Sequence, residues 1–104
     1  MITEQVWIVD DDSSIRWVLE KAFANANIST ASFESAKNLL IALSHDQPEV
    51  IISDIRMPDM DGMTLLSSIS KDYPNIPVII MTAHSDLDSA VSAYQGGAFE
   101  YLPK

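Results

Sequence analysis

The sequence predicts an α/β fold, a doubly wound parallel sheet of five strands in a single domain of 104 residues. Three observations predict it. Short apolar runs rich in β-branched residues recur along the chain, stretches of helical period separate them, and the five prolines and three glycines fall at the joints. Parallel neighbours need crossovers, and a helix between each pair of strands supplies them in the favoured right-handed sense.

The elements follow in order. Val6–Val9 is a continuous apolar run that ends abruptly in acid, and Val50–Ile52 and Val78–Met81 repeat the pattern after Pro48 and Pro77. Such runs suit strands covered on both faces. Ser29–Phe33 is a weaker strand, and Phe99–Leu102 a short last one. Between them, Ile15, Val18, Leu19, Ala22 and Phe23 trace one helical stripe, and Ala36, Leu39, Leu40 and Leu43 a second. Leu65, Leu66 and Ile69 form a shorter stripe ended by Tyr73-Pro74. Leu87, Ala90, Val91 and Tyr94 form a fourth, with Ser85 and Asp88 as a capping box and Gly96-Gly97 as the stop. Trp7 and Trp17 read as hydrophobic anchors, with any exposed part of Trp17 available to a partner.

Composition removes several classes of function. With 47% apolar and 20% charged residues the chain is an ordinary globular domain. The absence of cysteine excludes a disulfide framework, a thiolate zinc site and a cysteine nucleophile. Fifteen acidic against six basic residues give a net charge of −9, which repels phosphate backbones and argues against nucleic-acid contact by this segment. No apolar run is long enough to span a bilayer and the first residues lack a signal-peptide layout, so a cytoplasmic domain without membrane contact is expected.

In an open parallel sheet, ligands bind beyond the carboxyl ends of the strands. The first strand runs into Asp10-Asp11-Asp12, the third into Ser53-Asp54, the fourth into Thr82 and the fifth into Lys104. If the first and third strands are neighbours, as in the flavodoxin-like order, three or four carboxylates converge. Such a cluster either raises some carboxyl pKa values or holds a cation. Oxygen-only ligands point to a hard ion, and a small site favours Mg²⁺ over Ca²⁺. The alternative is that these acids cap the first helix, which suits Asp12 with Ser13 and Ser14 behind it but leaves Asp54 unexplained. Asp54 beside a cation is a candidate nucleophile for phosphoryl transfer, with Lys104 supplying further positive charge and Thr82 a hydroxyl donor.

At these strand ends and spacings, Asp10-Asp11, Asp54, Thr82 and Lys104 resemble the receiver domain of two-component response regulators. The stretch Asp54-Ile55-Arg56-Met57-Pro58-Asp59-Met60-Asp61-Gly62 is similar to that family's phosphoacceptor loop almost residue for residue. Val9–Trp17 and Met81–Tyr94 further resemble the NtrC-type nitrogen-regulation proteins, activators that work with the sigma-54 RNA polymerase. The resemblance implies a flavodoxin-like (CheY-like) sheet of order 2-1-3-4-5. It also implies Asp54 as the phosphorylation site, Mg²⁺ held by Asp11, Asp54 and the backbone carbonyl of Arg56, and Asp10 acting through water. The triple acid leaves Asp12 open as a member of the metal pair in place of Asp10. Thr82 and Lys104 are implied to contact the phosphoryl oxygens, and Tyr101 to be the aromatic that turns as Thr82 moves.

Further expectations follow from the resemblance. The donor is a sensor histidine kinase, and the output passes to downstream ATPase and DNA-binding domains. The helix after Thr82, with His84 and Ser85 at its start, is the expected two-state element. In the family a proline and a fifth helix follow the lysine, whereas this sequence ends at Lys104. Residues 1–104 are therefore expected to be a receiver domain truncated after the fifth strand, missing the fifth helix, with an exposed apolar patch that favours a homodimer. A Mg²⁺-dependent phosphohydrolase with an aspartyl nucleophile is disfavoured, because Arg56 stands where haloacid-dehalogenase-type enzymes carry their general acid. A flavin-binding domain is disfavoured because acids replace the phosphate cradle after the first strand.

Overall fold

A computed structural model describes residues 5–54, 62–82 and 100–103. Its elements are β1 (Val6–Val9), α1 (Ser13–Asn25), β2 (Thr30–Phe33), α2 (Ala36–Leu43), β3 (Val50–Asp54), α3 (Gly62–Asp72), β4 (Val78–Thr82) and β5 (Glu100–Pro103). The five strands form one parallel sheet of order β2-β1-β3-β4-β5, as the sequence and the family resemblance predict. The fourth predicted helix, over Leu87–Tyr94 with His84 and Ser85 before it, lies outside the described residues, as do Arg56 and Lys104.

Strand alternation divides the interior in two. Trp7, Val9, Ile51, Val78 and Ile80 point to the side covered by α2 and α3, where they pack with Ala36, Leu39, Leu43, Leu65, Leu66 and Ile69. Val6, Ile8, Ile52 and Met81 point to the other side, against Ile15, Leu19, Phe23 and Ile28 of α1 and the turn that follows it. The strand residues are buried on both sides, which is why these runs carry no polar alternation. Trp7 is fully packed, its ring 5.2 Å from that of Phe33 in a tilted arrangement.

Among the described residues the α1 side is the thinner one. No residue of α1 is fully buried. Ile15, Leu19 and Phe23 of the predicted stripe do pack on the sheet, but Val18 does not: it is 55% exposed. Trp17 is 59% exposed, so it is no core anchor, and Lys21 lies over its ring at 5.5 Å. The stripe is correct in phase but narrower than its spacing suggests. Among the described residues α1 alone covers this face, so Val18 has no second helix to bury it.

Both ends of α1 are set locally. Asp12 is the N-cap, its carboxylate accepting from Ser14 N–H at 2.8 Å. At the other end Asn27 adopts φ 61°, a left-handed conformation that asparagine tolerates better than most residues. Asn27 N–H donates to Ala24 and Ile28 N–H to Phe23, while Ile28 and Phe23 pack on the same cluster: a Schellman stop. Ser35 caps α2 in turn, its hydroxyl accepting from Asn38 N–H.

The two faces differ in what a substitution costs. Leu39→Ala, in the dense α2–α3 side, is expected to lower unfolding stability by about 2–5 kcal/mol. Val18→Ala is expected to change it by less than about 0.5 kcal/mol. Urea unfolding followed by tryptophan fluorescence checks both.

Candidate functional site

The site is a product of register. Val9 pairs with Phe33 on one side and Ser53 on the other, so Asp10 and Asp54 leave neighbouring strands at the same level. Carboxylate oxygens of Asp10, Asp11 and Asp54 all lie within 4.8 Å of one another. Asp10 is fully buried and Asp54 is 7% exposed, whereas Asp11 faces solvent. Two of three close negative charges thus sit where water screens them poorly. Like charges gathered there oppose one another, most of all between the two buried groups, and solvent screens the exposed Asp11.

Backbone geometry holds the acids there. Asp10 N–H donates to Phe33 O at 3.2 Å, carrying the β1–β2 ladder one residue beyond the strand. Asp10 Oδ1 accepts from Asp12 N–H at 2.9 Å, a local turn that reverses the chain into α1. Asp10 O accepts from Arg16 Nη1 at 2.5 Å. On β3 the buried Ser53 hydroxyl donates to Asp54 O at 2.9 Å, fixing the point where the chain leaves the sheet.

The predicted site residues fall into four groups. Asp10, Asp11 and Asp54 come together. Asp12 stands apart, its carboxylate engaged at the head of α1. Thr82 ends β4 opposite Pro103, and Tyr101 on β5 is in register with Ile80, which brings the backbone of β5 alongside the end of β4. Arg56 and Lys104 lie outside the described residues. Sequence reasoning missed Arg16, which sits one turn past the cap. Helical side chains lean toward the N-terminus, so an arginine four residues after an N-cap is placed to reach back over the strand end.

The donor set fits a hard divalent cation. All three groups offer carboxylate oxygen, and ligands at about 2.1 Å from Mg²⁺ stand about 3 Å apart when adjacent and about 4 Å apart when opposite. The 4.8 Å grouping accommodates both arrangements.

Comparison with known proteins agrees with this geometry. Residues 6–104 match the response regulator receiver domain, and the chain belongs to that family. It is 64% identical over 99 residues to the DNA-binding transcriptional regulator NtrC of Proteus hauseri, covering 95% of this chain and 21% of that protein. The C4-dicarboxylate transport transcriptional regulatory protein DctD of Pseudomonas aeruginosa is 40% identical, with 96% of this chain and 22% of that protein covered. The chain thus spans about a fifth of the length of these curated relatives. Among solved structures, the BeF3-activated receiver domain of nitrogen regulatory protein C superposes with a TM-score of 0.82 at 60% identity, covering 100% of this chain and 84% of that one. The NtrX receiver domain of Brucella abortus gives 0.92 at 28% identity, with 96% and 85% covered. The chain is therefore a signalling receiver domain of the type found in NtrC and DctD. No helix among its described residues is long and apolar enough to cross a membrane.

Because the three carboxylates oppose one another, Asp11→Asn is expected to raise stability in EDTA by about 0.5 kcal/mol, a gain that shrinks as salt is added. The same substitution is expected to lose most of the stabilisation conferred by millimolar Mg²⁺. Thermal unfolding with and without the metal checks both.

Proposed function

We propose that this domain accepts a phosphoryl group on Asp54 from the phosphohistidine of a sensor histidine kinase, in a site charged with Mg²⁺. The observation that carries the reading is the convergence of Asp10, Asp11 and Asp54 at the carboxyl edge of neighbouring strands. In the transfer, an Asp54 carboxylate oxygen attacks phosphorus, the phosphorus–nitrogen bond of the donor breaks, and the electron pair returns to the imidazole. Asp10, Asp11, Asp54 and the backbone carbonyl of Arg56 are the proposed Mg²⁺ ligands, Asp10 through water. When bound, Mg²⁺ neutralises charge on the transferring oxygens. Asp12 is the weaker candidate ligand, since its carboxylate caps α1.

The chain's own residues do the rest. Burial of Asp10 and Asp54 beneath the sheet edge limits water at the acyl phosphate and slows its hydrolysis. Lys104 and Thr82 contact the phosphoryl oxygens in this reading, the first by charge and the second by its hydroxyl. Thr82 and Tyr101 form the switch, and the pairing of β4 with β5 supports it by holding the two strands in register. Phosphorylation then selects between two pre-existing states of the segment after Thr82.

The partners follow from the same reading. Trp17 and Val18, exposed on α1 beside an open depression that also includes Ser13 and Ser14, offer the kinase an apolar contact close to the acids. The thin cover on the α1 side among the described residues supports a homodimer of this chain. In the parent protein, cytoplasmic in this reading, the output is control of transcription through an ATPase and a DNA-binding domain. The domain itself makes no nucleic-acid contact, in keeping with its net charge of −9, and no membrane contact.

Intact-mass measurement after incubation with acetyl phosphate tests the chemistry. A gain of one phosphoryl group that requires Mg²⁺ and is absent from Asp54→Asn is expected. A gain that persists in that variant would place the acceptor elsewhere.

A further inference from the structure

Arg16 reaches the acidic corner with a cationic side chain, and its partner there is a backbone carbonyl rather than a carboxylate. The contact, at 2.5 Å, is a short charge-assisted bond to Asp10 O, at the point where β1 turns into α1. The peptide unit that carries this carbonyl also carries the Asp11 N–H, and it is planar. Holding its oxygen therefore sets the direction in which Asp11 departs from the strand. The Asp10 side of the corner is already fixed by Phe33 O and Asp12 N–H, whereas Asp11 is exposed.

We propose that Arg16 is a positioning residue for the cation site: by gripping the Asp10 carbonyl it aims the Asp11 carboxylate at the oxygens of Asp10 and Asp54. The inference rests on the Mg²⁺ reading above. Two effects of the guanidinium oppose each other, and their signs differ. Its permanent positive charge repels a divalent cation nearby and on its own weakens metal binding. Its grip on the carbonyl pre-organises the ligands and strengthens binding. Positioning is the larger effect in this proposal, so loss of Arg16 weakens the site although it removes a repelling charge.

Calorimetric titration of Mg²⁺ into the 104-residue chain separates the possibilities, with urea unfolding in EDTA run on each variant. Arg16→Met, which keeps the stem but has neither charge nor donor, is expected to bind Mg²⁺ about tenfold more weakly. Arg16→Lys, which keeps the charge and a donor but loses the planar fork, is expected to fall about threefold below wild type. A folded Arg16→Met that binds Mg²⁺ as tightly as wild type, or more tightly, overturns the proposal and leaves only the charge effect. Should Arg16→Met fail to fold, Arg16→Lys decides: affinity equal to wild type overturns positioning by the fork, and intermediate affinity upholds it. If wild type itself binds no Mg²⁺, the reading of the site fails and the proposal falls with it.

Discussion

Two parallel strands that end in carboxylates at the same level impose the constraint on which the site depends. The pairing of Val9 with Ser53 leaves no freedom over where Asp10 and Asp54 emerge, and the turn after Asp10 adds Asp11 to the same few ångströms. A fold assembled only for stability avoids this arrangement, since buried like charges oppose one another. The sheet tolerates it because the rest of β1 and β3 is among the most densely packed parts of the molecule, with Ile8, Val9 and Ile51 fully buried on one side or the other. Stability built there offsets the repulsion stored at the edge.

The two faces of the sheet serve different ends. The α2–α3 side is a continuous core that fixes strand order and register, with Trp7 and Phe33 in contact at its β1–β2 end. The α1 side, thinner among the described residues, carries the exposed Trp17 and Val18, on the same helix whose N-cap closes the acidic corner. One helix therefore joins the charged pocket to an apolar surface. The cap by Asp12, the grip of Arg16 and the Schellman stop at Asn27 make that helix well defined at both ends despite its limited burial.

Much of this was legible in the sequence, and the reason is physical. Val6–Val9 is apolar on both alternations, so it reads as a doubly covered strand whatever surrounds it. The acids that follow it and Asp54 mark the carboxyl edge without any knowledge of register. Ser35, Asn27 and Val18 were not legible in the same way. A serine cap and an asparagine in a left-handed conformation are weak signals among many similar residues. Val18 belongs to a correct helical stripe, but whether the edge of a stripe is buried depends on a second helix, and periodicity carries no information about that. Arg16 carries no sequence signal for a related reason: its partner is a carbonyl, which every residue possesses.

The central claim is that the ends of β1 and β3 hold one cation between them. Paramagnetic broadening by substoichiometric Mn²⁺, followed in amide NMR spectra and reversed with excess Mg²⁺, tests it most directly. The account predicts that the amides of residues 10–12 and of residues 53 and 54 broaden together, while Gln5 and Glu49, at the opposite edge of the sheet, stay sharp. Broadening of the exposed acid Glu49 to the same degree, or of residues 10–12 without 53 and 54, would contradict it.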